Sequence, residues 1–532
     1  MTEAQSRSDS GAKGHSSDKS VGMGRSGNEE QPFVLPGHMA ESGMEQRDSS
    51  GGILGSGKEL TALAARQFAQ TFDEKYGGFG EAPKFPTPHN LLFLMMYAEL
   101  CHEETALEQV RVTLEQMRRG GLFDQIGYGF SRYSTDRYYL VPHFEKMLYD
   151  NALLILAYCR GYQALGEKLF LQTARQTADY VFRELSGECG EFFSAQDADS
   201  EGEEGKFYVW EYEEVCHVLG QQDGERFCRY YGITREGNFE GKNIANLLNG
   251  NAVTDEFERE RQALYEYRKG RAGLHLDDKV LTSWNALMIC ALSALYRATG
   301  EERYLQAAEK AGRFIEEQLA DGNVLYVSCR KKKRSVKGFL DEYAYDTWAL
   351  LSLYEVTSNP VYLARAGEIC REAEKQFADT EGGYFLYGKE NTSLIMRPKE
   401  TYDGALPSGN SVMAYCLVRL AQLEPGEPKW KAEAERQLAF LSRAAGEYPQ
   451  GHSMFLMALL AYGYPPQKIT VVLSGEDTAQ MILPRLPWYA DVTFLTEETP
   501  EYRLLNQKTT YYVCRDFTCL PPGNEMPEEK EK

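Results

Sequence analysis

Along most of the chain apolar residues recur every three or four positions, and two kinds of helical pattern alternate. In 301–319 the residues Tyr304, Ala307, Ala308, Ala311, Phe314, Ile315 and Leu319 form one stripe, while Glu309, Lys310, Arg313, Glu316 and Glu317 face away. Such a helix has one wet face. The segments 91–97, 152–158, 286–296, 348–354, 412–421 and 454–462 are instead apolar nearly all round. Each falls short of the roughly 18 residues that span a bilayer, so protein must enclose it. The pattern predicts outer helices at 58–74, 103–118, 167–185, 301–319, 359–378 and 430–446. Inner helices interleave at 89–100, 143–163, 282–299, 340–357, 408–423 and 452–463. Strict alternation of six and six predicts a mainly α fold, an (α/α)6 toroid whose inner helices all run in one direction. A curved, open array of helical hairpins has the same periodicity and is the alternative.

Inner-to-outer links are short, as at Thr299-Gly300, whereas outer-to-inner links run long at 76–88, 119–142, 186–281, 320–339 and 379–407. Long loops therefore gather where every inner helix begins, and unpaired N–H groups and positive dipole ends point to a common mouth. The toroid is expected over 57–465. Its insertion at 186–281 is expected to hold a hairpin, 191–195 with 206–210, and helices near 211–231 and 255–268, the whole poised as a lid. Beyond it, 466–522 reads as a small α/β appendage, with strands at 468–474, 491–496 and 510–514 around a short helix. Residues 1–56, rich in Ser and Gly and without hydrophobic period, are expected to form a disordered leader, and 523–532 an acidic tail.

Composition narrows the ligands. A net charge of −21 over 532 residues repels phosphate, which excludes nucleic acid and acidic membrane surfaces and leaves small neutral or hydroxyl-rich molecules. No apolar run or leader peptide suggests a membrane or export, so a cytoplasmic location is expected. The eleven cysteines include no C-x-x-C pair and no cluster with histidine, which predicts free thiols, no metal and no cofactor. Cys514 and Cys519, in particular, are expected to carry no chemistry.

Candidate chemistry sits where the inner helices start. Pro142-His143-Phe144-Glu145, Thr282-Ser283-Trp284-Asn285, Asp341-Glu342, Ser408-Gly409-Asn410 and Gly451-His452-Ser453 open these helices, and Asp124, Arg132 and Asp403 lie in the loops that feed them. Capping accounts for Ser, Asp and Asn but does not require histidine. Carboxylates, an arginine and aromatic faces together suit a sugar, whose apolar faces stack on rings while its hydroxyls bond to acids and amides. His143, Glu145, Asp341 and His452 are the candidate proton-handling residues. Asp124, Arg132, Asp197, Asp199, Trp284, Asn285, Glu342, Asp403, Ser408 and Asn410 are the candidate ligand contacts. Asp197-Ala198-Asp199-Ser200-Glu201-Gly202 imitates the opening of a Ca²⁺ loop, but position twelve is Tyr208, so an acidic hairpin turn dipping into the mouth is the expectation.

Gly77–Pro86, the loop 124–136, Pro142–Asn151, Asp197–Trp210, Asp277–Asn285 and Gly338–Tyr343 resemble blocks of the spermatogenesis-associated protein 20 family, also called thioredoxin domain-containing proteins. The likeness runs from about residue 60 to 522. It implies a toroid similar to six-hairpin glycosidases and N-acylglucosamine 2-epimerases, preceded by a thioredoxin-like domain with a Cys-His-Trp-Cys-type motif. No cysteine precedes Cys101, so that redox domain is expected to be missing. The function implied is carbohydrate binding, with sugar conversion of epimerase, isomerase or glycoside hydrolase type if the chain is an enzyme. The alternative is a non-catalytic, chaperone-like scaffold working with a partner that supplies the thioredoxin-like activity.

Overall fold

Helix starts and stops follow the residues that favour them. Pro88, Pro360 and Pro428 take the first helical position, where a missing N–H costs nothing. Gly166 and Gly300, both left-handed, end two inner helices. The computed structural model describes residues 49–390, 396–475, 477–515 and 518–526. Its helices are α1 (Ser49–Thr71), α2 (Pro88–Cys101), α3 (Glu104–Arg119), α4 (Leu148–Leu165), α5 (Lys168–Glu184), α6 (Tyr212–Leu219), α7 (Gln221–Tyr230), α8 (Glu258–Arg271), α9 (Thr282–Thr299), α10 (Glu302–Phe314), α11 (Leu340–Thr357), α12 (Pro360–Phe377), α13 (Gly409–Leu423), α14 (Pro428–Ala445), α15 (Ser453–Gly463) and α16 (Ala479–Ile482).

The ring is closed. Among the inner helices α2 packs on α4, α4 on α9, α9 on α11, α11 on α13, α13 on α15, and α15 returns to α2. An open array would leave the last of these contacts unmade. The outer helices α3, α5, α10, α12 and α14 each pack on the inner helix before them, and α15 finds its outer partner in α1, from the other end of the chain. The inner helices are buried over most of their length, as their all-round apolar sequences require. Among the described residues no helix is long and apolar enough to cross a membrane.

Four expectations need correction. Residues 49–56 are not part of a leader: they form the first turns of α1, where Ile53 is buried, while 1–48 lie outside the described residues. The helix expected from 143 begins at Leu148, because Pro142–His143 and Lys146–Met147 are extended and pair with neighbouring strands. In the insertion, Ala195–Gln196 pairs with Lys146–Met147 and with Leu276–Asp277, and the tight hairpin joins Asp199–Ser200 to Glu203–Glu204. Cys514 and Cys519 are not free thiols but a disulfide across the last hairpin of the appendage, whose strand Gln467–Val472 runs parallel to Ala490–Leu495 and antiparallel to Thr510–Arg515. The appendage covers the C-terminal ends of inner helices: Arg297 of α9 donates to the Pro487 and Ala490 carbonyls, and Arg419 of α13 pairs with Asp491.

One device recurs around the ring. Asn151, Asn285 and Asn410 each accept from one loop N–H and donate to that same residue's carbonyl, clamping Phe130, Phe192 and Tyr384. Each donates again to Met147, Leu281 or Glu400, and all nine bonds measure between 2.8 and 3.0 Å. A side-chain amide has the donors and acceptor to stand in for a neighbouring strand. It thereby fixes the hairpin that follows each preceding outer helix, where Phe130 bridges Phe123, Phe192 bridges Ser186 and Tyr384 bridges Ala378.

The insertion has its own apolar centre around Trp210, Phe227, Tyr231 and Leu264. It is tied to the ring by a buried ionic knot: Asp124, in the loop after α3, accepts from Lys146 at 2.9 Å and from Arg268 of α8 at 2.6 Å. Burial alone would raise the Asp124 carboxyl, yet Arg268 and Lys146 outweigh it and hold the group far below the usual carboxylate range.

Two substitutions test these devices. Asn285→Ala or Asn410→Ala leaves a buried backbone pair without a partner and is expected to lower the unfolding free energy by about 1–3 kcal/mol in urea titrations. Unchanged stability in both would contradict the clamp. Asp124→Asn strands two buried cations, and a loss of about 3–5 kcal/mol is expected, whereas a loss within error would show that the knot holds nothing together.

Candidate functional site

At the rim, contact passes from one inner-helix start to the next. Tyr149 of α4 meets Trp284 of α9 edge-on at 4.8 Å. Ser283, beside Trp284, donates to Glu342 of α11 at 2.9 Å. Gly409, opening α13, lies against the Asp341 carboxylate. Asp403 accepts from the Ser408 N–H and from the Met454 N–H of α15, both at 2.8 Å, and Ser453 donates to Asn90 of α2 at 2.6 Å. Gly409 is required by this approach, since a Cβ there would strike Asp341 Oδ1 and Leu340.

Three clusters stand on this arc. In the first, His143 Nδ1 lies 2.7 Å from Glu204 Oε1 and Nε2 lies 3.5 Å from Glu145 Oε2, which also accepts from Arg132 at 3.3 Å. The Tyr133 ring stacks on Phe85 at 4.6 Å and leans on His143 at 5.2 Å. Phe85 is an exposed ring. Behind them the Asp150 carboxyl is buried with Oδ2 unpartnered, and burial raises it well above its ordinary value against the pull of Arg132.

The second cluster opens α11. Glu342 is 4% exposed, accepts from Ser283 and from the Phe339 N–H at 2.8 Å, and has no cation among these partners. Burial and the neighbouring Asp341 push its carboxyl up to about 8. Asp341 is less enclosed, and burial with repulsion from Glu400 pushes it up to about 6. Both acids therefore exchange protons near neutrality.

The third cluster holds His452, buried, whose Nδ1 lies 3.0 Å from the Tyr448 carbonyl. The exposed rings of Tyr402 and Tyr448 stack at 6.5 Å beside it. The exposed aromatic rings Phe85, Tyr138, Tyr267, Tyr402 and Tyr448 all lie in connections from an outer to an inner helix.

The other expected ligand contacts are placed differently. Asn285 and Asn410 are backbone clamps, and Asp124 belongs to the buried knot. Ser408 caps Ser411, and Asp403 has one carboxylate oxygen on each of two backbone N–H groups. These polar atoms are held by the protein itself. Asp197 and Asp199 are exposed on the hairpin, and the acid that reaches His143 from it is Glu204. Tyr149, Asp150 and Glu204 escaped the sequence reading. Asn151 did carry a signal, since like Asn285 it stands fourth in its inner helix. Among the described residues no group of three or more His, Cys, Asp or Glu is arranged to hold a metal.

Comparison with known proteins places this architecture. Among solved structures a sugar epimerase from a ruminal bacterium superposes with a TM-score of 0.53 at 13% identity, covering 77% of this chain and 98% of that one. Cellobiose 2-epimerase from Bacillus thermoamylovorans gives 0.53 at 13%, covering 77% and 99%, and a D-mannose isomerase gives 0.51 at 13%, covering 78% and 98%. These likenesses establish the toroid. No family profile matches the chain. Human spermatogenesis-associated protein 20 is 32% identical over 526 residues, covering 86% of this chain and 67% of that protein. The mouse protein is 34% identical over 544 residues, covering 88% and 68%. The chain belongs to the spermatogenesis-associated protein 20 family.

Proposed function

We propose that the rim binds a carbohydrate and that Asp341, with Glu342 behind it, moves protons at the bound sugar. The observation that carries this reading is the acid pair itself. Of the other buried acids named above, Asp124 is committed to two cations and Asp403 to two backbone N–H groups, while Asp150 keeps one oxygen unpartnered behind the His143 cluster. Asp341 and Glu342 are held near 6 and 8 without a cationic partner, which suits general acid and base work at neutral pH. Ser283 bonds to Glu342, Trp284 next to it packs on Tyr149, and exposed rings flank the arc on both sides, as suits a pyranose.

His143 with Glu145, and His452 across the arc, supply further proton-transfer groups. Epimerisation needs two bases on opposite faces of one carbon, and hydrolysis needs two carboxyls at a set separation. The fold neighbours that are epimerases and isomerases support the first chemistry. The commitment of Asn285, Asn410, Ser408 and Asp403 to the protein's own backbone favours a second reading, a scaffold that serves a thioredoxin-like partner.

A thermal-shift and NMR screen of mono- and disaccharides separates the two, with turnover followed at the anomeric and C2 protons. Binding of one sugar class is expected, with Asp341→Asn keeping the binding and losing turnover by about 10²–10⁴-fold. No binding by any sugar would leave the scaffold. A pH series tests the acid pair separately. The folded protein keeps a proton on Glu342 that the unfolded chain releases, since its carboxyl is raised from 4.5 to about 8. That contribution to stability is fully present below about pH 4.5 and falls as the pH rises to about 8. Glu342→Gln is expected to flatten the fall, and parallel profiles for the two proteins would contradict the raised acid.

A further inference from the structure

The C-terminal half of the ring encloses a second site, separate from the rim. A cavity of about 50 Å³ is lined by Leu92, Leu156, Cys290, Trp348, Tyr415 and Met457, one from each inner helix, with Trp488 of the appendage against it. The volume holds an ion or a few waters, a single water needing on the order of 10–15 Å³. Its polar lining comes from Arg160, Ser293, Arg297, Ser352 and Glu355. Of these lining residues, Ser293, Arg297 and Trp488 each bury one atom without a hydrogen-bond partner, Oγ, Nε and Nε1, and the Arg297 and Ser293 residues are 2% and 1% exposed. All three atoms carry a proton to donate.

Charge points the same way. The charged groups acting on Arg297 are Arg160, Arg419, Glu355 and Asp491. Both carboxylates are bound by Arg419, Glu355 at 3.0 Å and Asp491 closer still. Arg160 donates to the neutral Gln163 amide and Arg297 to the Pro487 and Ala490 carbonyls, so neither has an anionic hydrogen-bond partner. The C-terminal dipole ends of the inner helices supply only partial negative charge. We propose that this cavity binds a small monovalent anion of chloride size, held by Arg297, Ser293 and Trp488, which fastens the appendage to the floor of the ring. Of the two carboxylates, Glu355 lines the cavity, paired there with Arg419, and Asp491, whose Oδ2 is a buried acceptor without a partner, does not line it.

The test uses the full chain. Its melting temperature is measured in chloride and in gluconate, an anion too large to enter, at equal ionic strength and pH. Crystals grown in bromide are examined for anomalous scattering. Chloride is expected to raise the melting temperature by a few degrees and to saturate, and bromide to appear within hydrogen-bond reach of Arg297 Nε and Ser293 Oγ. Ser293→Ala removes one donor with little change of volume, and Trp488→Phe removes another while keeping an aromatic ring in place. Each is expected to weaken the chloride response several-fold, whatever it does to stability in gluconate. Equal melting in the two salts, a full chloride response in both variants, or ordered water without a bromide signal would each overturn the site.

Discussion

A ring in which six helices begin on one rim must find acceptors for the first N–H groups of every helix in a space with little water. That requirement shapes the rest of the molecule. It is why Asp403 serves Ser408 and α15 together, why Glu342 turns back to Phe339, and why Ser408 caps its own helix. The asparagine clamps extend the same logic to the loops, fixing a hairpin before α4, α9 and α13 so that the long connections return to the rim in register. Closure of the ring by α1 on α15 and by α2 on α15 then makes these separate solutions one continuous arc.

Capping and chemistry draw on the same residue types, and bonding partners tell them apart. An acid whose oxygens are both taken by backbone N–H groups or cations is part of the frame. Asp124 is the clearest case, holding the insertion to the ring through Lys146 and Arg268. Asp341 and Glu342 are the opposite case. A helix N-terminus favours their ionised forms, but burial, with repulsion from Glu400 on Asp341 and from Asp341 on Glu342, outweighs it and leaves both able to give and take protons at neutral pH. The frame makes this possible, since Gly409 lets Asp341 sit close and Ser283 holds Glu342 in place.

The architecture was legible because the helical period and the contrast between one-faced and all-round apolar segments are properties of single stretches of chain. The bounds of α9 and α11 agree with their predicted ranges to the residue, at Thr282–Thr299 and Leu340–Thr357. The start of α4 was not legible, since the sheet pairing that keeps His143 and Lys146 extended comes from strands elsewhere, including one about fifty residues on. The site was only half legible for the same reason. Asn285 and Asn410 read as ligand contacts until Phe192 and Tyr384, distant in sequence, occupy their amides. Glu204 gave no local sign of its contact with His143, which depends on how the insertion folds back. The disulfide between Cys514 and Cys519 likewise needs the hairpin pairing that brings the two residues opposite each other.

The most direct measurement is an NMR titration of the Asp341 and Glu342 side-chain carboxyl carbons in the folded chain, with and without the sugar that the screen identifies. Inflections near 6 and 8, displaced when the sugar binds, are the expected result. Titration of both groups at ordinary carboxylate values of about 4, unmoved by any sugar, would contradict the reading of the rim as a proton-transferring carbohydrate site.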